Sequence, residues 1–91
     1  MRYMVIETFT AGAGAVYQRA RERGRMLPPG LEYVDSWIDE RSLDRCFQLM
    51  ETDEPALFDQ WIASWSDLVE FEVVPVISSA EASARAYETS S

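Results

Sequence analysis

The chain has 91 residues, 47% of them apolar, and a formal net charge of −8. We expect a single domain, residues 1–91, and a domain of this size buries a smaller fraction of its surface than a larger one, so a second subunit would cover part of the apolar surface. The negative charge argues against a nucleic-acid partner, because phosphate binding depends on clustered positive charge.

The first predicted elements are a strand and a helix. Residues 2–9, RYMVIETF, are β-branched and aromatic enough for a strand, and Gly12 and Gly14 end it. This glycine pair resembles the start of a dinucleotide-binding loop, but Tyr17 fills the third glycine position. Apolar residues then recur at helical spacing up to the break at Pro28, and they are Ala13, Val16, Tyr17, Ala20 and Leu27.

Four arginines, Arg19, Arg21, Arg23 and Arg25, alternate along the predicted first helix. One interpretation is an anion-binding arm. Their spacing distributes them around the helix rather than along one stripe. We therefore favour a solvated face or salt bridges across a dimer.

A hairpin and a second helix follow. Residues 31–39 and 45–52 are strand-like and flank a short polar loop. Residues 57–68 carry a broad apolar stripe in which Trp61 and Trp65 lie one turn apart. That periodicity predicts a helix whose tryptophans belong to the core.

The ends of the later elements also have sequence signals. Asp53 or Glu54 is the expected N-cap of the second helix. Residues 69–77 predict a last strand, in which Pro75 requires a position near an edge or an end. Ser78 and Glu81 match a capping box for a short C-terminal helix, and residues 88–91 are expected to form a frayed tail.

The order βαββαβ predicts an α+β fold of the ferredoxin-like type, with a four-stranded antiparallel sheet in the order 4-1-3-2 and both main helices on one face. The other face must then be solvated, polar or covered by a partner. Neither face of the first or third strand is cleanly polar. We therefore expect the open face to pack against a second copy of the chain, which would make a dimeric α/β barrel.

The alternation of side chains along the strands does not decide which face of the sheet the helices cover. In the favoured arrangement Glu7 and Gln48 look into the barrel, and the other set of side chains contacts the helices, namely Met4, Ile6, Phe47 and Leu49. A one-residue error in register would exchange the two sets, so the reverse facing stays possible.

Four segments of the chain resemble a family, and they read RYMVIETF, GRMLPPGLEYVDSW, RCFQLMETD and LFDQWIASWSDLVEFEVVPV. They are similar to a small bacterial domain-of-unknown-function family related to the dimeric α/β-barrel proteins, over residues 1 to about 82. The resemblance implies the barrel fold but no catalytic residue. Relatives in the wider superfamily include cofactor-free monooxygenases, lactone isomerases and haem-degrading enzymes, and fold alone does not transfer their activities.

The residue inventory excludes several chemistries. The chain has no histidine and no lysine, so it has no Ser-His-Asp triad, no Schiff-base lysine and no histidine ligand for a metal. Cys46 lacks a partner that could activate it and is better interpreted as a small buried apolar residue. The acids near the hairpin loop lack the spacing of a calcium loop. We expect no cofactor and no metal.

A single cysteine excludes an internal disulfide, and no stretch has the ~20 apolar residues of a membrane span or the pattern of a secretory signal. We therefore expect a cytoplasmic protein without a membrane partner.

Carboxylates enclosed by a dimer are the remaining candidates for chemistry, because loss of water raises their pKa. The candidate proton acceptors are Glu7 and Glu72. The candidate ligand-binding residues, which would surround an aromatic or carbonyl-containing molecule in the barrel cleft, are Tyr3, Asp35, Trp37, Gln48 and Met50.

Two hypotheses follow. The first is a cofactor-independent enzyme or binder of a small molecule. The second is a non-catalytic homodimer in which the same polar groups pair with each other or with an arginine of the partner subunit.

Overall fold

Four strands form one antiparallel sheet in the computed structural model, which describes residues 1–90 and the side chains of residues 1–88. The strands are β1 (Arg2–Phe9), β2 (Glu32–Ile38), β3 (Arg45–Glu51) and β4 (Val69–Val76). They pair in the order β2-β3-β1-β4. This is the sheet order predicted from the sequence, and it places β1 and β3 in the centre.

The helices are α1 (Ala13–Arg23), α2 (Leu57–Ala63) and α3 (Ser79–Ser90). The predicted ferredoxin-like order βαββαβ, followed by a terminal helix, is therefore confirmed. Val16 of α1 and Phe58 and Trp61 of α2 are buried in one core with Val5 of β1. Both main helices thus cover the same face of the sheet.

Helix α1 ends earlier than the sequence pattern predicted. Gly24 has a φ of +68°, and Met26 has a φ of +58°. Glycine adopts this left-handed conformation without steric cost and commonly stops a helix. The prediction that the helix continued to Leu27 was wrong, and Arg25 consequently lies in the connection to β2.

Helix α2 is also shorter than predicted, and the predicted cap is absent. Its N-cap position is Ala56, which makes no capping hydrogen bond through its side chain. The hydroxyl of Thr52 instead accepts a hydrogen bond from the amide of Glu54 at 3.0 Å. The helix ends at Ala63, and tighter turns carry the chain past Trp65, whose side chain remains in the core.

In the C-terminal part of the chain, the predictions for Pro75 and for the start of the last helix are confirmed. Pro75 lies on β4, which is an edge strand of the sheet. The amide of Glu81 donates to the hydroxyl of Ser78 at 3.1 Å, as a capping box requires. Helix α3 continues to Ser90, so most of the predicted tail at residues 88–91 is helical, and Ser91 lies outside the described residues.

The facing of the sheet is the reverse of the favoured prediction. Glu7 and Gln48 lie on the face that the helices cover, and each is only 6% exposed. The other side chains of that face include the core residues Tyr3, Val5 and Met50. The alternative facing is therefore correct, because the covered face holds the more completely buried apolar set.

The side chains at the centre of the opposite face, among them Met4, Ile6 and Phe47, are only half-buried, and we refer to it as the open face. Its side chains form four rows across β3, β1 and β4, which are Glu51-Arg2-Val76, Leu49-Met4-Val74, Phe47-Ile6-Glu72 and Arg45-Thr8-Glu70. On β2, Trp37 lies beside Phe47, and Asp35 lies beside Leu49. The centre of the open face is apolar, and charges surround it.

Candidate functional site: a pocket between the sheet and the helices

A pocket with a volume of about 100 Å3 lies between the covered face of the sheet and the helices. The buried residues Glu7 and Gln48, together with half-buried Cys46, form its floor. The more exposed residues Tyr17 and Arg25 lie at its mouth. The pocket therefore joins a buried polar floor to the surface.

The polar pair at the floor results from strand pairing. Glu7 of β1 lies opposite Cys46 of β3, and Gln48 is two residues further along β3 on the same face. The side-chain Nε2 of Gln48 donates a hydrogen bond to Oε2 of Glu7. The Oε1 atom of Gln48 is buried and has no hydrogen-bond partner among the described residues. The described residues thus leave one buried acceptor beside the Glu7 carboxyl without a hydrogen bond.

Burial raises the pKa of Glu7 above its ordinary value. The hydrogen bonds from Gln48 and from the thiol of Cys46 oppose this shift, as does the positive charge of Arg25. Desolvation is nevertheless the largest effect, because removing a carboxylate from water penalises its charged form. Glu7 can therefore hold a proton at a higher pH than an exposed glutamate.

The same burial makes Cys46 unreactive. Desolvation, followed by the charge of Glu7, raises the pKa of the Cys46 thiol to about 12. The thiolate, which is the nucleophilic form, is then scarce near neutral pH. This agrees with the prediction that Cys46 is not a nucleophile, although its side chain is half-buried rather than fully buried.

Arg25 is fixed at the mouth by its backbone and by its side chain. Its carbonyl oxygen accepts hydrogen bonds from the indole Nε1 atoms of both Trp61 and Trp65, each at 3.0 Å. Its guanidinium carbon lies 3.7 Å from the ring centre of Tyr33. Stacking of this kind orients a guanidinium plane while its N–H groups stay available. The early end of α1 therefore places a positioned cation beside the pocket.

Aromatic rings form the rigid surroundings of the pocket. Trp61 and Trp65 line it directly, and the Trp61 ring packs edge-to-face on Phe71 with centroids 5.2 Å apart. Phe9 lines the pocket and contacts the ring of Tyr17, with centroids 6.3 Å apart. Such edge-to-face pairs favour fixed ring orientations. The walls are apolar, whereas the floor and the mouth are polar.

Only part of the predicted site comes together. Glu7 and Gln48 meet at the floor, and Tyr3 and Met50 are buried on the same face but belong to the core beside the pocket. The other three predicted residues, Asp35, Trp37 and Glu72, are on the open face. The sheet therefore separates Trp37 from Glu7 and Gln48, and the three do not meet in one pocket of the chain.

Sequence reasoning predicted only Glu7 and Gln48 of the residues that line the pocket, and the polar side chains that it did not identify there include Tyr17, Arg25 and Ser36. Tyr17 was assigned to the apolar stripe of α1, and Arg25 was grouped with the other arginines of that helix. The signal that separates Arg25 from them is Gly24, whose positive φ ends the helix one residue earlier.

A larger groove of about 610 Å3 lies at one end of the open face, where Arg2 and Leu49 of the sheet approach Glu81 and Arg85 of α3. None of the residues that line it is fully buried. Binding groups in such a shallow groove remain largely hydrated, so we take the smaller pocket as the candidate site. Within residues 1–90, no group of three or more acidic or thiol side chains could hold a metal ion.

A family model described as a domain of unknown function, DUF3303, matches residues 1–89. No curated protein and no solved structure matches the chain significantly. In the described part of the chain, none of the helices combines the length and apolar character needed to cross a membrane.

Proposed function

Because the chain belongs to the DUF3303 family, whose description assigns no activity, we propose from its geometry that the domain binds a small molecule in the pocket, and that Glu7 exchanges a proton with that molecule. The observation that carries the proposal is the unpaired Oε1 of Gln48 beside the buried Glu7 carboxyl. A buried acceptor without a partner is costly, and a bound donor would remove that cost.

The size and chemistry of the pocket support a small ligand. Drug-sized ligands occupy pockets of roughly 300–1,000 Å3, whereas a dry cavity of ~150 Å3 admits a molecule the size of benzene. At about 100 Å3 the pocket fits a few heavy atoms, or one end of a longer molecule that extends past the mouth. Glu7 has the raised pKa that suits a general acid or base.

Proton transfer by Glu7 to or from the bound molecule would make the domain a cofactor-independent enzyme. Binding without transfer would make it a binding protein. Both share the same pocket, so ligand binding is the property to test first.

The proposal is tested by an NMR screen of small polar fragments against the isotope-labelled protein. We expect amide shifts at Glu7, Cys46 and Gln48, and we expect Gln48→Leu, which removes the acceptor while keeping a similar volume, to abolish them. The matched control is Glu72→Gln, a substitution on the opposite face. Shifts that persist unchanged in Gln48→Leu, or a screen without any shift in the pocket, would overturn the proposal.

A second candidate role is assembly, and we propose a homodimer through the open face. Its support is the apolar patch of Met4, Ile6, Phe47 and Leu49, whose side chains are only half-buried although α3 approaches Leu49 at one end of this face. Two sheets can pack face to face about 10 Å apart with side chains of this size. In such a dimer Asp35, Trp37 and Glu72 would lie near the interface and would line any cleft left there.

Light scattering tests the homodimer. We expect twice the chain mass at micromolar concentration, and we expect the monomer mass for Phe47→Glu, which places a charge in the apolar centre. Gln18→Glu, an exposed change on α1, adds the same charge away from the sheet and should leave the dimer intact. A wild-type monomer at this concentration would rule out the dimer. A cytoplasmic location, which the single free cysteine favours, is part of this proposal.

A further inference from the structure

We propose that the pocket selects a small hydroxycarboxylate, with the carboxylate bound by Arg25 at the mouth and the hydroxyl donating to Oε1 of Gln48 at the floor. This inference rests on the proposed function of the pocket and adds the class of ligand to it. It is carried by the chemistry at the two ends of the pocket and by the apolar walls between them.

The mouth of the pocket holds an arginine without a counter-ion among the described residues. Arg19 forms an ion pair with Asp67 at 2.6 Å, but Arg25 makes no ion pair and no side-chain hydrogen bond within the described part of the chain. Its guanidinium is nevertheless held in place by the Tyr33 ring. Arginine recognises carboxylates through two parallel N–H groups, and a guanidinium that is already oriented loses less entropy on binding. The mouth is therefore prepared for a planar anion.

The floor of the pocket requires a hydrogen-bond donor from the ligand. The unpaired Oε1 of Gln48 is an acceptor, so the ligand must present a donor there. A hydroxyl satisfies this requirement without bringing a second charge into the buried end. The aromatic walls of Trp61 and Trp65 separate the floor from the mouth and suit a short apolar stem. A carboxylate at the mouth, a short apolar stem between the aromatic walls and a hydroxyl at the floor together match the pocket.

An anion bound at Arg25 would change the charge balance around Glu7. The titratable or polar groups around Glu7 are Gln48 and Cys46 from β3, Ser36 from β2, Arg25 from the connection after α1, and Tyr17 from α1. Phe71 lies opposite Glu7 on β4, and Trp61 of α2 and Trp65 of the turns after it complete this side of the pocket. Arg25 is the one cation among these groups. A bound anion would partly neutralise Arg25 and would favour the protonated form of Glu7. Binding of the carboxylate should therefore be accompanied by proton uptake.

The experiment uses tryptophan fluorescence in a Trp37→Phe background, so that the signal comes from Trp61 and Trp65 at the pocket. The probes are hydroxycarboxylates from 3-hydroxypropanoate to 6-hydroxyhexanoate. Each is compared with its neutral amide and with the carboxylate that lacks the hydroxyl. We expect one chain length to bind at least roughly tenfold more tightly than either analogue, the scale of one lost charged or buried hydrogen bond.

Variants of Arg25 test whether its guanidinium binds the carboxylate of the ligand. Arg25→Gln should bind the acid and its amide equally, and Arg25→Lys should recover part of the preference. The matched control is Arg21→Gln, which removes an exposed arginine of α1 that does not line the pocket. Calorimetry in two buffers that differ in ionisation enthalpy should show proton uptake with the wild-type side chain at position 7, and none in Glu7→Gln.

The possible failures are distinguishable. Equal binding of the acid and its amide to the wild-type protein, or an unchanged preference in Arg25→Gln, would overturn the hydroxycarboxylate while leaving the pocket a binding site. If no probe of either kind changes the fluorescence, and the fragment screen shows no shift that depends on Gln48, both the inference and the proposed function fail.

Discussion

The two faces of the sheet have compositions opposite to those that their burial leads one to expect. The face beneath the helices holds a buried carboxyl and a buried amide, Glu7 and Gln48, whereas the open face has a half-buried apolar centre around Ile6 and Phe47. Burying polar groups costs free energy unless they are fully hydrogen-bonded. The covered face therefore retains polar groups that its packing does not require, and the open face retains apolar groups that a partner would bury.

The covered face tolerates its polar pair because large apolar groups surround it. Trp61 is 2% exposed, Phe58 is 4% exposed and Val5 is fully buried. Burial of one such side chain contributes about 1.5–3 kcal/mol, which is comparable to the cost of one unsatisfied buried polar group. The pair therefore weakens the domain without preventing its folding.

The largest expected effect contrasts one tryptophan from each face. Trp61→Ala should lower the free energy of unfolding by about 3–5 kcal/mol, because it leaves a cavity and removes the hydrogen bond to the Arg25 carbonyl. Trp37→Ala, at a side chain that is 52% exposed, should change the stability of the monomer by less than about 1 kcal/mol. Urea denaturation of both variants measures the difference, and similar losses would contradict the assignment of the two faces.

The next effect concerns charge pairing across the proposed dimer. A twofold axis parallel to the strands and midway between β1 and β3 would place Arg2 opposite the partner's Glu51. An axis across the strands, midway between the rows of Glu51 and Arg45, would place Arg45 opposite the partner's Glu51. Both arrangements follow from the row order of the open face. Glu51→Arg should therefore weaken the dimer by about 2 kcal/mol, or roughly 30-fold in its dissociation constant, by bringing like charges together.

A second substitution then identifies the axis. Arg2→Glu added to Glu51→Arg should restore the dissociation constant for the first arrangement, and Arg45→Glu should restore it for the second. Analytical ultracentrifugation measures the constant directly, which separates assembly from any effect on folding within one chain. A dissociation constant unaffected by Glu51→Arg would place the contact elsewhere.

A smaller effect is expected at the buried carboxyl. The raised pKa of Glu7 means that the folded state binds the proton more tightly than the unfolded state does. Stability therefore falls as pH rises from the ordinary pKa of a glutamate to the raised pKa of Glu7, and it stays lower above that range. Glu7→Gln should stabilise the protein by about 1 kcal/mol at neutral pH, also because the new amide can donate to Oε1 of Gln48.

The pH dependence is the sharper measurement for Glu7→Gln. Thermal melts of the variant and of the wild-type protein should converge at acid pH, where Glu7 is protonated in both the folded and unfolded states, and separate as pH rises. Glu72→Gln, on the exposed side of β4, is the control and should show no such separation. A Glu7→Gln variant that is less stable at neutral pH would mean that the carboxylate is held by an ion pair.

The sequence predicted the fold well because its signals are local and consistent. The eight residues of β1 were predicted with their exact bounds, and the order of the sheet followed from the order of the elements. The facing could not be predicted in the same way. Tyr3, Val5 and Phe9 share a face with Glu7, and the other face carries Met4 and Ile6, so apolar alternation favours neither.

The candidate site was harder to predict because it depends on the end of α1. Glu7 and Gln48 were identified from residue type, and their contact follows from the pairing of β1 with β3. Arg25 enters the pocket only because Gly24 ends the helix and two tryptophans bind the next carbonyl. A helical periodicity that runs through a glycine cannot show that change of direction.

The smallest expected effect concerns an exposed carboxyl, which contrasts with the buried one. The hydrogen bond from Arg19 holds the pKa of Asp67 below its ordinary value, and the Asp67 carboxylate is exposed to solvent. Its contribution is therefore present above the ordinary pKa of an aspartate and is lost as pH falls through the lowered one. Asp67→Asn should slightly lower the melting temperature at neutral pH, less in high salt and not at all in strong acid. This is the opposite pH dependence to Glu7→Gln, so melts of the two variants over one pH series distinguish a desolvated carboxyl from a paired one, and parallel curves would refute that distinction.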